Sequence, residues 1–558
     1  YAEAYTSTSA TASSSTSTST STSTSTSTSS YAYAYGGAIY NASSKTIGNI
    51  TGSFNGNYAQ AEAATTSEAH GGAIYSQGTI GTITANFTGN YINAKNATYG
   101  GAIYNSGSIT GLSGNFTNNY IKNTASGSAF GGAIYNTSTI TNGLSNSTLS
   151  NNYVTTTGSA QGGAIYNSGS NFGDISATFI KNYAQTNSNP YGGAIYNSGT
   201  IKSISGSFSN NYTLANSSNA CGGAIYNTKT ITNGISNSSF SNNYTQANTG
   251  TIQGGAIYNN SSSSLNISAD FSNNYAKSLS SGTIQGGAIY NSGSGTVNIT
   301  SNFSQNYVTS TSGTTQGGAI YNTSAYLNSV SGNFSNNYAQ AQTTYGGAIY
   351  NNSTIKTISG NFKNNYALST GNNAYGGAIY NNSSISTAIQ NAEFTGNYAD
   401  AESGTVQGGA IYNNNTIAGI INTSFYNNYV KTNTGTTAQG GAIFTTKNLT
   451  ISANNGSSTF SGNYVQNSTG TKDYQAIYMN SSSLTLTLNA TNNGSIIFDD
   501  YISGVNGYKV TLSGDSTGNI IFNSANSIQN ATTTLSSGNL TFGTDSFAHS
   551  TSTLNTTG

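Results

Sequence analysis

The sequence predicts an all-β fold: a right-handed parallel β-helix of about 14 coils of about 31 residues, preceded by an extended strand and continued by shorter C-terminal coils. Three observations carry this. Gly-Gly-Ala-Ile recurs fourteen times between Gly36 and Gly440, at steps of 29 to 35 residues. Phe-x-x-Asn-Tyr alternates with it, at Phe54, Phe87, Phe116, Phe179, Phe208 and onward to Phe460, with Leu149 once in the Phe place. Composition is the third: 42 Tyr and 20 Phe against 5% charged residues and a single Pro describe polar strands that need nearly every backbone N–H, not a disordered chain.

Residues 1–35 form the first region. Ser occupies odd positions and Thr even ones from Ser15 to Ser29, and Tyr31-Ala32-Tyr33-Ala34-Tyr35 keeps the period of two. In an extended strand this places Thr16, Thr18 and Thr20 on one face and gathers Tyr31, Tyr33 and Tyr35 on the other. Composition alone reads as a solvated or O-glycosylated linker. The strand propensity of Thr and Tyr reads instead as a donor strand, which fully extended reaches on the order of 115 Å, enough to run along a neighbouring subunit.

Residues 36–480 are the repeat β-helix. In the unit that begins at Gly192, Gly-Gly-Ala-Ile-Tyr-Asn is followed by a Ser-Gly-Thr turn, then Ile201, Ile204 and Phe208, then Asn211-Tyr212 and a variable polar loop to Cys221. Ile204 and Phe208 share parity, as do Leu265, Ile267 and Phe271, so this stretch is a strand with one apolar face. Gly pairs, Asn pairs and Thr runs are poor helix formers. A propeller blade would need longer units of four strands. In Ala-Ile-Tyr-Asn the expectation is Ile inward and Tyr outward in a column, with Gly223 as a corner residue at φ > 0.

Stacked coils lie about 4.8 Å apart, so each residue type rests on its own copy from the neighbouring coil. The candidate ladder residues are therefore Gly36, Gly37, Ile39, Tyr40 and Asn41; Phe54, Asn57 and Tyr58; Phe116, Asn119 and Tyr120; and Phe208, Asn211 and Tyr212. Phe and Ile would fill a thin core, Asn amides would bond along the axis, and Tyr rings would stack.

Residues 481–558 change grammar. The motif decays at Tyr474-Gln475-Ala476-Ile477-Tyr478, Leu484, Leu486 and Leu488 alternate, and Ser495-Ile496-Ile497-Phe498 returns as Asn519 to Phe522 and Asn539 to Phe542, at steps of 24 and 20. Shorter coils of a continuing β-helix account for this.

The chemistry-bearing residues are few. Thirteen basic residues, all Lys, balance thirteen acids, which leaves no basic footprint for nucleic acid. The acids are scattered, at Glu62, Glu68, Asp174, Asp270, Glu393, Asp400 and Glu402, and the adjacent pair Asp499-Asp500 faces opposite ways along a strand. No catalytic site, cofactor or metal is expected, although a β-helical polysaccharide-active enzyme is a minor alternative. His70 and Cys221 read as substitutes in the place before Gly-Gly, and His549 as a tail residue. Cys221, the single cysteine, has no disulfide partner and no neighbouring base in sequence. No 18-residue apolar run occurs and the chain opens on Tyr1, so the expectation is an extracellular or cell-surface chain secreted after signal-peptide removal.

The alternation of Gly-Gly-Ala-Ile copies from Gly36 onward with Phe-x-x-Asn copies such as Phe54 to Asn57 and Phe116 to Asn119 resembles the polymorphic outer membrane proteins of chlamydiae and related autotransporter passengers, over about residues 36 to 480. More weakly, Ile496-Ile497-Phe498-Asp499-Asp500 and the Gly504 to Gly507 turn resemble a distal autotransporter passenger. The resemblance implies a surface-displayed β-helix that serves in adhesion and is exported through a C-terminal barrel. No amphipathic barrel strands are read within these residues, and the Ser/Thr tract is a further departure. Two functions follow as expectations. One is a structural subunit of an extracellular fibre, self-associating into a homopolymer by end-to-end stacking or N-terminal strand donation. The other is a monomeric adhesin passenger that meets a host or neighbouring cell.

Overall fold

A computed structural model describes residues 18–19, 22–26, 31–62, 66–123, 126–435, 437–524, 526–543 and 553–556. The chain divides into two compact units, Tyr1–Gly282 with Ala288–Gly295, and Thr283–Gly287 with Thr296–Gly558. Each is a parallel β-solenoid.

One coil of the first unit shows the construction. After the corner at Gly192 and Gly193, a short strand covers Ile195–Asn197, a long one Thr200–Ser209, a third Tyr212–Ala215, and a last pair of residues, Ala220–Cys221, leads to the next corner. Each strand pairs in parallel with its copy. Ile195, Tyr196 and Asn197 lie against Ile225, Tyr226 and Asn227, Phe208 against Phe179 and Phe240, and Tyr212 against Tyr183 and Tyr244. The long strands form an Ile/Phe sheet, the strands after Asn-Tyr a second sheet, and the Ile-Tyr-Asn strands a third.

Alternation decides the faces. Along Leu265–Ser272 every odd residue is buried and the even ones are open except Ser272, which is half-buried, as the shared parity of Leu265, Ile267 and Phe271 requires. Phe rings fill the interior in near-parallel stacks, with centroids 4.6 Å apart between Phe179 and Phe208 and 4.7 Å between Phe208 and Phe240. Burying each such ring is worth about 1.5–3 kcal/mol, and the offset stack adds about 0.5–1.5 kcal/mol.

One correction concerns the corners. The left-handed residue is the first glycine of each pair, not the second: Gly222 has φ +63°, and Gly223, expected at φ > 0, does not. Gly223 is needed for another reason. A Cβ there would stand 2.1 Å from the carbonyl oxygen of Gly255 in the next coil. The second left-handed turn, between the Phe and Tyr strands, is taken by the residue before the Asn of Asn-Tyr: Asn210 at φ 56°, Asn242 at φ 54°, or Gly where Gly56 and Gly396 stand.

The described strands of the N-terminal region pair within the chain. Thr18–Ser19 pairs with Ser53 and Phe54, Thr22–Thr26 with Tyr58 to Glu62, and Tyr31–Tyr35 with Thr66 to His70, all in parallel. The segment expected to run along a neighbouring subunit thus supplies coil strands to its own chain, because its period of two fits the same in/out alternation. Ala32 and Ala34 are buried there, Tyr33 is 45% exposed, and Tyr35 is half-buried. Thr16 and Thr20 lie outside the described residues, as do most of the Ser/Thr repeats.

In the second unit the motif decays where a hairpin intervenes: Tyr464–Gln466 pairs antiparallel with Lys472–Asp473. Beyond it the coils shorten. Leu486 pairs with Val510 and Val510 with Thr533, while Phe498 pairs with Phe522 and Phe522 with Phe542. The third sheet has its last strand at Tyr501–Gly504.

Candidate functional site

The solenoid brings the repeated side chains into columns, and these columns are the site. The Asn57, Asn119 and Asn211 positions form one of them, fully buried. Asn211 donates from its backbone N (3.0 Å) and its Nδ2 (2.9 Å) to Asn243 Oδ1, and from Nδ2 to the Phe179 carbonyl of the preceding coil (3.0 Å). Its own Oδ1 accepts the equivalent pair from Asn182. Each amide therefore makes all four of its hydrogen bonds inside the protein. Asn57 begins the same chain, donating to Asn90, and Asn119 donates to Asn152.

The Asn41 position forms a second column on the third sheet. Asn197 Nδ2 donates to Asn227 Oδ1 (2.8 Å) and to the Thr230 carbonyl at 3.4 Å, and Gly199 N donates to Asn197 Oδ1 at 3.3 Å. This column is less uniform. Asn41 donates to Ser76, and Asn413 to Thr445, whose hydroxyl turns to the Lys447 carbonyl.

Tyrosines form the outer columns. Tyr58 stacks on Tyr91, Tyr120 on Tyr153 and Tyr212 on Tyr244, with centroids 4.8 to 4.9 Å apart. Tyr40 stacks on Tyr75 at 5.2 Å, above the Ile39 to Ile74 pair, and Gly36 and Gly37 turn the corner before them. Phe54 and Phe116 both stack on Phe87. Tyr of Ile-Tyr-Asn stands on the outer face while Ile is buried, but its ring is largely covered. Residues in the place before Gly-Gly lean over it, as Tyr99 does on Tyr135 at 4.8 Å. Burial pushes the Tyr196 and Tyr412 phenols up to about 12, and neighbouring tyrosines add to this.

His70 and Cys221 sit in that pre-glycine column. His70 stacks on Tyr99 at 4.8 Å, and neither ring nitrogen has a hydrogen-bond partner; Glu68 Oε2 lies 3.6 Å from Nε2. Burial holds the imidazole down at about 4. Cys221 pairs with Tyr191, and burial pushes its thiol up, the reverse of a nucleophile's requirement.

The functional residue that sequence parity passed over is Asp500. Asp499 does face away, accepting from Asn523 Nδ2 at 2.8 Å. Asp500 points inward and ends the second unit's run of buried asparagines: it accepts from Gly462 N (2.9 Å), Asn463 N (2.8 Å) and Asn463 Nδ2 (2.8 Å). Desolvation raises its carboxyl to about 6 against these three bonds. The available signal was the spacing, since Phe498-Asp499-Asp500 stands one coil after Phe460.

Elsewhere charge lies outside. Lys202 and Asp174 pair at 2.8 Å in solvent, with Lys202 and Ser203 drawing the Asp174 carboxyl below its ordinary range. Among the described residues no three His, Cys, Asp or Glu side chains gather as a metal site, and no helix is long and apolar enough to cross a membrane.

Residues 268–292 and 391–414 match the family model of the Chlamydia polymorphic membrane protein repeat. These two segments are similar to the polymorphic membrane protein repeat. Each match runs from the Phe strand through Asn-Tyr and the variable loop to Ile-Tyr-Asn, and so spans Phe271 to Asn291 and Phe394 to Asn413. The other coils follow the same sequence grammar, and the two matched repeats together with the β-solenoid fit an autotransporter-passenger β-helix. No curated protein matches the chain, and no solved structure does.

Proposed function

We propose that the chain is the displayed β-helix of a bacterial surface protein, an adhesin-type passenger that holds variable polar loops on a rigid stack. The repeat match carries this reading, because the matched family is described as a membrane protein and the matched segment contains the loop. Physical chemistry supports it. The amide columns satisfy themselves within the chain, so the outer Tyr columns and the loops between Asn-Tyr and Gly-Gly are what a partner would meet. These loops differ in length and sequence from coil to coil, which is where recognition is free to vary.

The test is adhesion of beads coated with the purified chain to cultured host cells and to neighbouring bacteria. Binding above that of beads coated with an unrelated β-helix is expected, with loss when loops such as 216–219 and 402–404 are replaced by Gly-Ser. Equal binding by both coatings would overturn the reading.

A fibre subunit is the second reading. One observation favours it: among the described residues, Tyr31–Tyr35 and Ile39–Asn41 each pair with the following coil alone, a parallel edge of the kind strand addition uses. Strand donation by residues 18–35 is less favoured, since those strands are used within the chain. Sedimentation of the purified chain separates the readings, with a monomer expected for the passenger and a concentration-dependent series of polymers for the fibre.

A further inference from the structure

We propose that the tyrosine column of the second unit relays a one-electron oxidation to Tyr474, and that Tyr474 is where the chain becomes joined, phenol to phenol, to a second copy. The column is Tyr307, Tyr338, Tyr366, Tyr398, Tyr429 and Tyr464. Successive centroids are 4.8, 4.8, 4.9, 4.8 and 5.0 Å apart, with planes within 5° of parallel. Faces in contact at this spacing give the π overlap that lets an electron pass between neighbours, and half-exposed edges let each phenol exchange its proton with water. Among side chains other than tyrosine, competing donors are scarce. The chain has no Trp, and its single Met479 and single Cys221 are buried.

The end of the column differs from its interior. Tyr464 meets Tyr474 edge to face, with centroids 6.3 Å apart, and Lys472 Nζ stands 4.2 Å from the Tyr464 ring centroid. A cation over a π face opposes loss of an electron from that ring, so Tyr464 acts as a bridge and not as a resting place for the hole. Tyr474 receives it. At 51% exposure it is the most open large hydrophobic side chain among the described residues, held out by the Tyr464 to Asp473 hairpin.

The step balances as follows. An external one-electron oxidant removes an electron from a column phenol, whose proton goes to water, leaving a neutral phenoxyl radical. Each hop moves an electron from the next phenol into that radical; the first regains a proton from water and the second releases one. Two Tyr474 radicals, one on each copy, then form a carbon–carbon bond between their ortho positions, and the two ortho hydrogens shift to oxygen. Two phenols thus become one dityrosine with release of two electrons, taken by the oxidant, and two protons.

The experiment attaches a ruthenium polypyridyl photooxidant to the full chain at Ser312→Cys, on the same coil as Tyr307, with a cobalt(III) ammine as terminal electron acceptor; buried Cys221 stays unlabelled. Illumination should yield a covalent dimer with dityrosine fluorescence, mapped to Tyr474 by peptide analysis. Tyr474→Phe should abolish it. Tyr398→Phe and Tyr429→Phe, which keep the stack but remove an oxidisable station, should each sharply lower the yield, whereas Tyr326→Phe, exposed but outside the column, should leave it unchanged. Undiminished dimer in both interrupted columns would overturn the relay. Cross-links at Tyr326, or at Tyr501 whose hydroxyl donates to Asp473, would overturn the assignment of Tyr474.

Discussion

The two asparagine columns of this solenoid look alike in sequence and differ in how short the hydrogen bonds that satisfy them are. In the Asn211 column every amide proton and both carbonyl lone pairs are used, at 2.8 to 3.1 Å, by the neighbouring asparagines and a Phe carbonyl. In the Asn197 column the second amide proton reaches a turn carbonyl at 3.1 to 3.5 Å. Tolerance follows this difference. At the first position Asn recurs in the coils of each unit, and the second unit's run ends on Asp500, whereas the second position admits Ser76, Thr445 and Met479. A closed hydrogen-bond chain fixes residue identity more tightly than burial does, since both columns are buried.

The comparison can be broken in several ways, the most drastic being to separate the coils themselves. Gly193→Val would drive its Cβ to 2.1 Å from the Gly223 carbonyl, and the expected outcome is loss of the soluble folded first unit, read by circular dichroism. Asn211→Leu comes next. It strands two donors of Asn182 and one acceptor of Asn243, a cost on the order of 4 kcal/mol in urea titrations. Asn197→Leu strands Asn167 Nδ2 and Asn227 Oδ1 and gives up two longer bonds, from Gly199 N at 3.3 Å and to the Thr230 carbonyl at 3.4 Å, and should cost on the order of 2 kcal/mol.

The acidic end of the closed column gives a smaller, pH-dependent effect. Asp500 titrates near 6 in the folded state and near its ordinary value when unfolded, so the native state holds the extra proton between the two. The stability it contributes is present below the unfolded value and lost as pH rises through about 6. Asp500→Asn should remove that loss, on the order of 2 kcal/mol between pH 4 and pH 7, read by hydrogen exchange in the second unit. His70 acts with opposite sign in the first unit: its imidazole is held near 4, so stability falls as pH drops from the unfolded value through 4, and His70→Gln should flatten that slope.

Much of this was legible in the sequence. Shared parity placed Ile204 and Phe208 inside, and the repeat step placed each residue on its copy. Other features were not. Parity could not tell Asn210, a left-handed turn residue, from Asn211, a buried ladder residue, although Gly56 and Gly396 at the turn position carried the signal. The demand on Gly223 is a clash with another coil, which local conformation does not reveal. The coil register of residues 18–35 has no Gly-Gly to mark it. Asp500 was hidden because its partner, Asn463, lies 37 residues away, beyond the usual step.

The most direct test of the central claim is side-chain amide hydrogen exchange with selectively labelled asparagine. The Nδ2 protons of the Asn57, Asn119 and Asn211 column should exchange more slowly than those of the Asn105, Asn167 and Asn197 column, despite equal burial. Equal protection of the two columns would contradict the account, leaving burial alone to explain why asparagine is repeated.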